Sequence, residues 1–114
     1  MAKLPNYLRS HRRRLRLSQD EVSFLLGVET GEMVCRHEQF GRNPSLLTAM
    51  AYEAIFDRPI RELFAGLYEK IQTDVANRAI SLGRRLEWSG GRVTSREIQP
   101  TLDRMSGVKG ESIK

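Results

Sequence analysis

The sequence predicts an all-α protein, and two patterns carry that expectation. Apolar residues recur at three- and four-residue spacing and never alternate with period two for long. Helix punctuation (serine or threonine starts, glycine stops, proline-containing turns) falls between those runs. At 114 residues the chain can hold one small domain and an extension.

The first helix is expected from Asn6 to Leu15, just after Pro5, with Leu8, His11 and Leu15 facing inward. The second begins at "SQDE". The Ser18 hydroxyl can accept from the Glu21 backbone N–H while the Glu21 carboxylate reaches back to Ser18, a capping box. Asp20 and Glu21 also suit the positive end of the helix dipole. Val22, Leu25 and Leu26 form its expected buried stripe, and Gly27 ends it. Thr30 is the expected cap of a third helix from Gly31 to Gln39, with Val34 and His37 inward.

"GRNPS" from Gly41 is turn chemistry. Ser45 caps a fourth helix, "LLTAMAYEAIF", with Leu46, Met50, Ala54 and Phe56 expected inward. After "DRP", the stretch "IRELF" makes a short fifth helix that buries Ile60, Leu63 and Phe64. A longer helix is expected from Leu67 to Trp88, with an apolar line of Tyr68, Ile71, Val75, Ala79, Leu82 and Leu86. From Val75 onward its 4, 3, 4 spacing is that of a coiled-coil seam. "SGG" ends it. "TSRE" at Thr94 offers one more cap, which Pro100 interrupts, and residues 89–114 read as a flexible basic tail.

Net charge is +5, unevenly spread. Residues 1–17 carry +6, residues 18–74 carry −5, and residues 75–114 carry +4. Basic flanks around an acidic middle are compatible with a polyanionic partner. No apolar run approaches the roughly 20 residues of a membrane span, and the basic N-terminus lacks the apolar run of a secretory signal. Cys35 is the single cysteine, so no intrachain disulfide can form. A cytoplasmic protein without membrane contact is expected. His11 and His37 have no supporting ligand cluster, so no metal is expected. There is no nucleophile–base pairing and no phosphate-cradling glycine loop, so neither an enzyme nor a cofactor is expected.

Several motifs occur in order between Leu4 and Ile71. "LSQDEVSFLLGV", "RNPSL" and "IRELF" resemble the phage-repressor (Cro-like, xenobiotic-response-element) helix-turn-helix family. "RHE", "AYEAIF" and "ELFAGLYE" are similar to a bacterial subgroup of it. The chain has one residue more between Val28 and Glu38 than the commonest family pattern, and Phe40 stands where glycine is usual. The resemblance implies a five-helix repressor-like helix-turn-helix domain over residues 4–66. A C-terminal helix over residues 67–88 and the tail complete the chain.

In that family the third helix enters the DNA major groove and the second lies across the backbone. The resemblance therefore implies base reading by Thr30, Glu32, Met33 and Arg36, with Gln19 at the groove edge. Arg36 can bond guanine O6 and N7, Glu32 can accept from cytosine N4, and Met33 can touch a thymine methyl. Arg42 and Asn43 suit phosphate contacts, which position without specifying. The run from Arg9 to Arg16, with Arg12 and Arg13, reads either as a phosphate-facing surface or as a solvated helix face. Arg36 has the alternative of an ion pair with Glu32, four residues earlier. Glu29 and Glu32 place carboxylates beside the reading surface.

The stripe of Tyr68, Ile71, Val75, Leu82 and Leu86 packs back on the domain, covers a loose C-terminal tail or forms a homodimer, and Phe24 is a second dimer candidate. The expected function is a sequence-specific transcriptional regulator that binds double-stranded operator DNA as a dimer. The rival is a protein-interaction module, antitoxin-like or regulator-binding, with weak DNA reading. RNA binding is weaker still, because no aromatic stacking platform is visible.

Overall fold

The first four helices each end on a residue in the left-handed region, and those ends set the path of the chain. A computed structural model describes residues 3–28, 30–88 and 93–107. Among them the chain is all-α, with α1 (Leu8–Arg14), α2 (Gln19–Leu26), α3 (Glu32–Glu38), α4 (Leu46–Phe56), α5 (Ile60–Leu63), α6 (Ala65–Trp88) and α7 (Val93–Ser106). No helix among them is long and apolar enough to cross a membrane. The left-handed residues are Arg16, Gly27, Phe40 and Asp57, with φ of 60°, 85°, 66° and 55°. After α1, α2 and α3 the same pair of bonds closes the end. Leu17 N–H reaches Arg12 O, Val28 N–H reaches Ser23 O, and Gly41 N–H reaches Arg36 O. Arg16, Gly27 and Phe40 N–H reach Arg13, Phe24 and His37 O. These are Schellman ends, which satisfy the last carbonyls and reverse the chain within a few residues.

The chain divides into two units, Met1–Tyr68 and Glu69–Lys114. The core of the first is Leu8, Val22, Val34, Ala49, Tyr52, Phe56, Leu63 and Phe64, with Leu17, Leu26, Ile55, Ile60 and Leu67 packed around it. The capping box at Ser18 forms with both of its bonds. Ser45 accepts from Thr48 N–H and starts α4. Residues before α1 are tied to the end of α5 and the start of α6. Gly66 N–H donates to Leu4 O at 2.9 Å, Leu67 N–H to Pro5 O at 3.2 Å, and Tyr7 N–H to Leu63 O at 2.8 Å. A Cβ at Gly66 would overlap the Leu4 carbonyl.

Several inward assignments are corrected. Leu15 is exposed because α1 stops before it, and Leu17 beyond the reversal enters the core instead. Leu25 is exposed because the inner face of α2 is Val22, Ser23 and Leu26. In α4 the buried line is Ala49, Tyr52 and Phe56, while Leu46, Met50 and Ala54 lie outside. That helix is apolar on every side, so its periodicity cannot choose a face. Ring packing does. Tyr52 stacks on Phe56 at 6.0 Å between centroids and meets Phe64 edge-on at 6.4 Å.

The second unit also departs from expectation. Residues Val93–Ser106 form a helix with Pro100 inside it, where a flexible tail is expected. A proline in a helix interior removes a bond and crowds the preceding turn. The helix persists with Leu102 buried beside α6, where Ala79 is also buried. The remaining tail residues, 89–92 and 108–114, lie outside the described residues.

Candidate nucleic-acid interface

The turn between α2 and α3 positions the site. Gly27 has φ of 85°, which an L side chain adopts only at a cost, so the turn favours glycine. Past it, Gly31 N–H donates to Asp20 Oδ1 at 2.9 Å. The first turn of α2 thus pins the residue that caps α3. Sequence reasoning gave Asp20 only a dipole role, and nothing local signals a bond across 11 residues. Thr30 is not the cap. Gly31 occupies that position, and Thr30 Oγ1 accepts a long 3.4 Å bond from Glu32 N–H.

The inner side of α3 is locked. Val34, His37 and Glu38 are buried. His37 Nδ1 is 2.8 Å from the Tyr52 hydroxyl, and Asn6 Nδ2 donates to His37 O at 2.9 Å. Burial, followed by the nearby Arg42 charge, holds the His37 imidazole below its usual pKa, so the ring is kept neutral. Burial likewise pushes the Tyr52 phenol up.

Glu38 is the functional neighbour that sequence reasoning missed. Its carboxylate takes Arg12 Nε on one oxygen, and Arg12 Nη2 at 3.1 Å and Gln19 Nε2 at 3.0 Å on the other. Arg12 Nη1 also donates to Leu17 O at 2.9 Å. Side-chain exposures of 12% and 3% make Arg12–Glu38 a buried pair. The Glu38 bond raises the Arg12 pKa above its usual value. Arg12 is therefore corrected from phosphate contact to structural ion pair, because its nitrogens are committed inside the fold. Gln19 is half-buried with its amide on Glu38, at the rim of a crevice shared with Arg9, Arg13 and Gln39. The one sequence signal was an acid beside Val34 and His37 on an otherwise inward face.

The outer side of α3 is open. Thr30, Glu32, Met33 and Arg36, with Arg42 and Val28, line one shallow concavity of about 440 Å³. Glu32 Oε2 lies 2.9 Å from Arg36 Nη2, so the alternative ion pair forms, with both side chains more than half exposed. Asn43 and Arg13 are exposed. Glu29 lies outside the described residues. Four of the five residues assigned to base reading therefore share one surface, and the fifth, Gln19, lines a separate crevice with Arg9 and Arg13.

The stripe on α6 is divided. Tyr68 is half-buried beneath the Arg61 guanidinium, 5.2 Å from the ring centre. Ala79 is buried, Leu86 is half-buried, and Ile71, Val75 and Leu82 are exposed. Phe24 is 81% exposed. No protein-family model, curated protein or solved structure matches this chain.

Proposed function

We propose that this chain is a non-enzymatic transcriptional regulator that binds operator DNA sequence-specifically as a homodimer. Its first unit is read as a five-helix repressor-like helix-turn-helix domain. The observation that carries this reading is the two-sidedness of α3. Val34, His37 and Glu38 fix its orientation, and Thr30, Glu32, Met33, Arg36 and Arg42 are presented together on the other side. A major groove accepts one helix and displays a distinct donor and acceptor pattern at each base pair. Residues Arg9, Arg13, Arg42 and Asn43 suit flanking phosphates.

Seven residues of α3 span about 10 Å at 1.5 Å per residue, the rise of about three base pairs. One such helix reads too little sequence for a unique address. Two copies related by a two-fold axis would read half-sites about 34 Å apart. Selection of bound sequences from random duplex DNA tests the proposal. An enriched pseudo-palindrome is the expected result, with affinity that falls steeply as salt rises. Indifference to DNA at low salt overturns it.

That second outcome belongs to the rival reading, a protein-interaction module, which the exposed Phe24 and Leu47 favour at 81% and 76% exposure. Pull-down with DNA-free protein and Phe24→Ser separates the two: loss of a bound protein with unchanged DNA affinity assigns Phe24 to a protein partner.

A further inference from the structure

Among the described residues of the second unit nothing covers one side of α6, and the charges on that side choose its occupant. Helix α7 packs on the small-residue side of α6. Ala79 and Leu102 are buried, and Leu102 lies over Gly83, where an added Cβ would make an ordinary contact with Leu102 Cδ1 at 3.8 Å. At 3.6 residues per turn, Ile71, Val75, Arg78, Leu82 and Arg85 fall on a different stripe, about a third of a turn away. Ile71, Val75 and Leu82 are 48%, 36% and 38% exposed. Among the described side chains of α6 and α7 in this unit, Ala79 and Leu102 are the buried apolar ones, a small core for holding two helices together.

We infer that two copies of this chain pair through α6 in antiparallel register, with Ile71 of each on Leu82 of the other and the two-fold axis between Val75 and Arg78. The inference rests on the dimeric reading above and adds its geometry. A parallel pair would set Arg78 against Arg78 and Arg85 against Arg85, stacking like charges along the seam. The antiparallel register moves the two Arg85 side chains far apart and staggers the two Arg78 side chains by three residues, about 4.5 Å along the axis. It lays the Arg78 stem along Val75 of the second copy and brings the guanidinium beside that copy's Asp74. Asp74 already holds Lys70 of its own chain at 3.2 Å. Each Asp74 then sits between a Lys70 and an Arg78, and the contact is isologous, as a closed dimer requires. With α7 on the outer sides, the assembly is a four-helix bundle.

Sedimentation of the whole chain without DNA and disulfide trapping test the pairing together. The wild type is expected at twice the 13.1 kDa chain mass, and Leu82→Asp at the chain mass with its helix content kept. Arg78→Asp should weaken dimerisation about tenfold, because two symmetry-related contacts turn repulsive, and Asp74→Arg with Arg78→Asp should recover it. For trapping, Cys35→Ser removes the native thiol. Ile71→Cys chains mixed with Leu82→Cys chains should then cross-link, and neither should cross-link alone.

A monomeric wild type, a Leu82→Asp dimer, or self-cross-linking by Ile71→Cys overturns the register. Trapping on folded single-cysteine chains decides even if Leu82→Asp fails to fold. A trapped dimer that ignores DNA defeats the operator reading and upholds this one; a monomer that binds DNA overturns the pairing, and the dimeric part of that reading with it, and upholds DNA binding.

Discussion

Arg12 and Glu38 grip each other across α1 and α3, and Gln19 of α2 closes on the same carboxylate. One buried acid therefore joins the three helices that build the candidate site. Removing Arg12 strands that charge. Arg12→Ala is expected to lose about 3–5 kcal/mol of stability, the usual cost of breaking a buried pair by one partner. Arg13→Ala, an exposed change, should stay within about 0.5 kcal/mol. Urea unfolding of the two variants checks this. Equal stabilities would return Arg12 to the surface role that the sequence suggested.

Phe40 ends α3 with φ of 66°. A left-handed conformation costs a side chain roughly 1–2 kcal/mol, and glycine avoids it at some expense in chain entropy. Phe40→Gly is expected to stabilise the protein by about 0.5–1 kcal/mol, since the ring is already nearly half exposed. Gly27→Ala is the converse. An added Cβ there meets nothing within 4 Å, so its expected loss of about 1 kcal/mol is backbone strain alone. Shifts in urea midpoint of opposite sign are the expected result.

Ser23 Oγ is buried and has no hydrogen-bond partner among the described residues. Removing an unsatisfied polar atom recovers its desolvation cost of about 1–3 kcal/mol, less the packing lost with it. Ser23→Ala should therefore leave stability unchanged or raise it by about 1 kcal/mol. A clear loss in thermal unfolding would show that the hydroxyl is hydrogen-bonded.

His11 and His37 are both held below the usual imidazole pKa of 6.5, chiefly by burial. In the unfolded chain they bind protons near that value, while in the folded chain they resist. The unfolded state thus holds more protons just below pH 6.5, and stability falls as pH falls through that window. Above pH 6.5 the contribution is fully present. Melting temperature should be flat with respect to these groups above neutrality and decline below pH 6.5. His37→Gln should flatten that decline, though it weakens the contact with Tyr52 and lowers stability at neutral pH.

Local chemistry was legible in the sequence. The capping box at Ser18, the stop at Gly27, and the inward Val34 and His37 are each decided by neighbours within one turn. What was not legible depends on distance or on symmetry of pattern. Arg12 and Glu38 are separated by 26 residues, and an arginine in a basic run looks the same whether it faces solvent or a buried acid. α4 is apolar on every side, so only its ring partners reveal the buried face. α7 forms around a proline because Leu102 finds a place beside α6, which no rule about Pro100 alone supplies.

The Glu32–Arg36 pair on the outer side of α3 gives the last prediction. On DNA the guanidinium must choose between that carboxylate, 2.9 Å away, and a base edge. A bidentate arginine–guanine contact discriminates by about 1–3 kcal/mol, whereas an exposed i, i+4 ion pair is worth about 0.3–0.5 kcal/mol. The base therefore wins, at a small cost. Arg36→Ala should lose about 1–3 kcal/mol on the selected site and relax preference at one position of each half-site. Glu32→Gln removes both the competitor and a carboxylate near phosphates, so it should tighten binding to every duplex. Arg13→Ala should weaken all duplexes alike and lower the salt slope by about 1 per contact. Titrations on matched and mismatched duplexes at several salt concentrations distinguish the three. If Arg36→Ala weakens every duplex equally, Arg36 is a phosphate contact and the specificity lies with Thr30 and Met33.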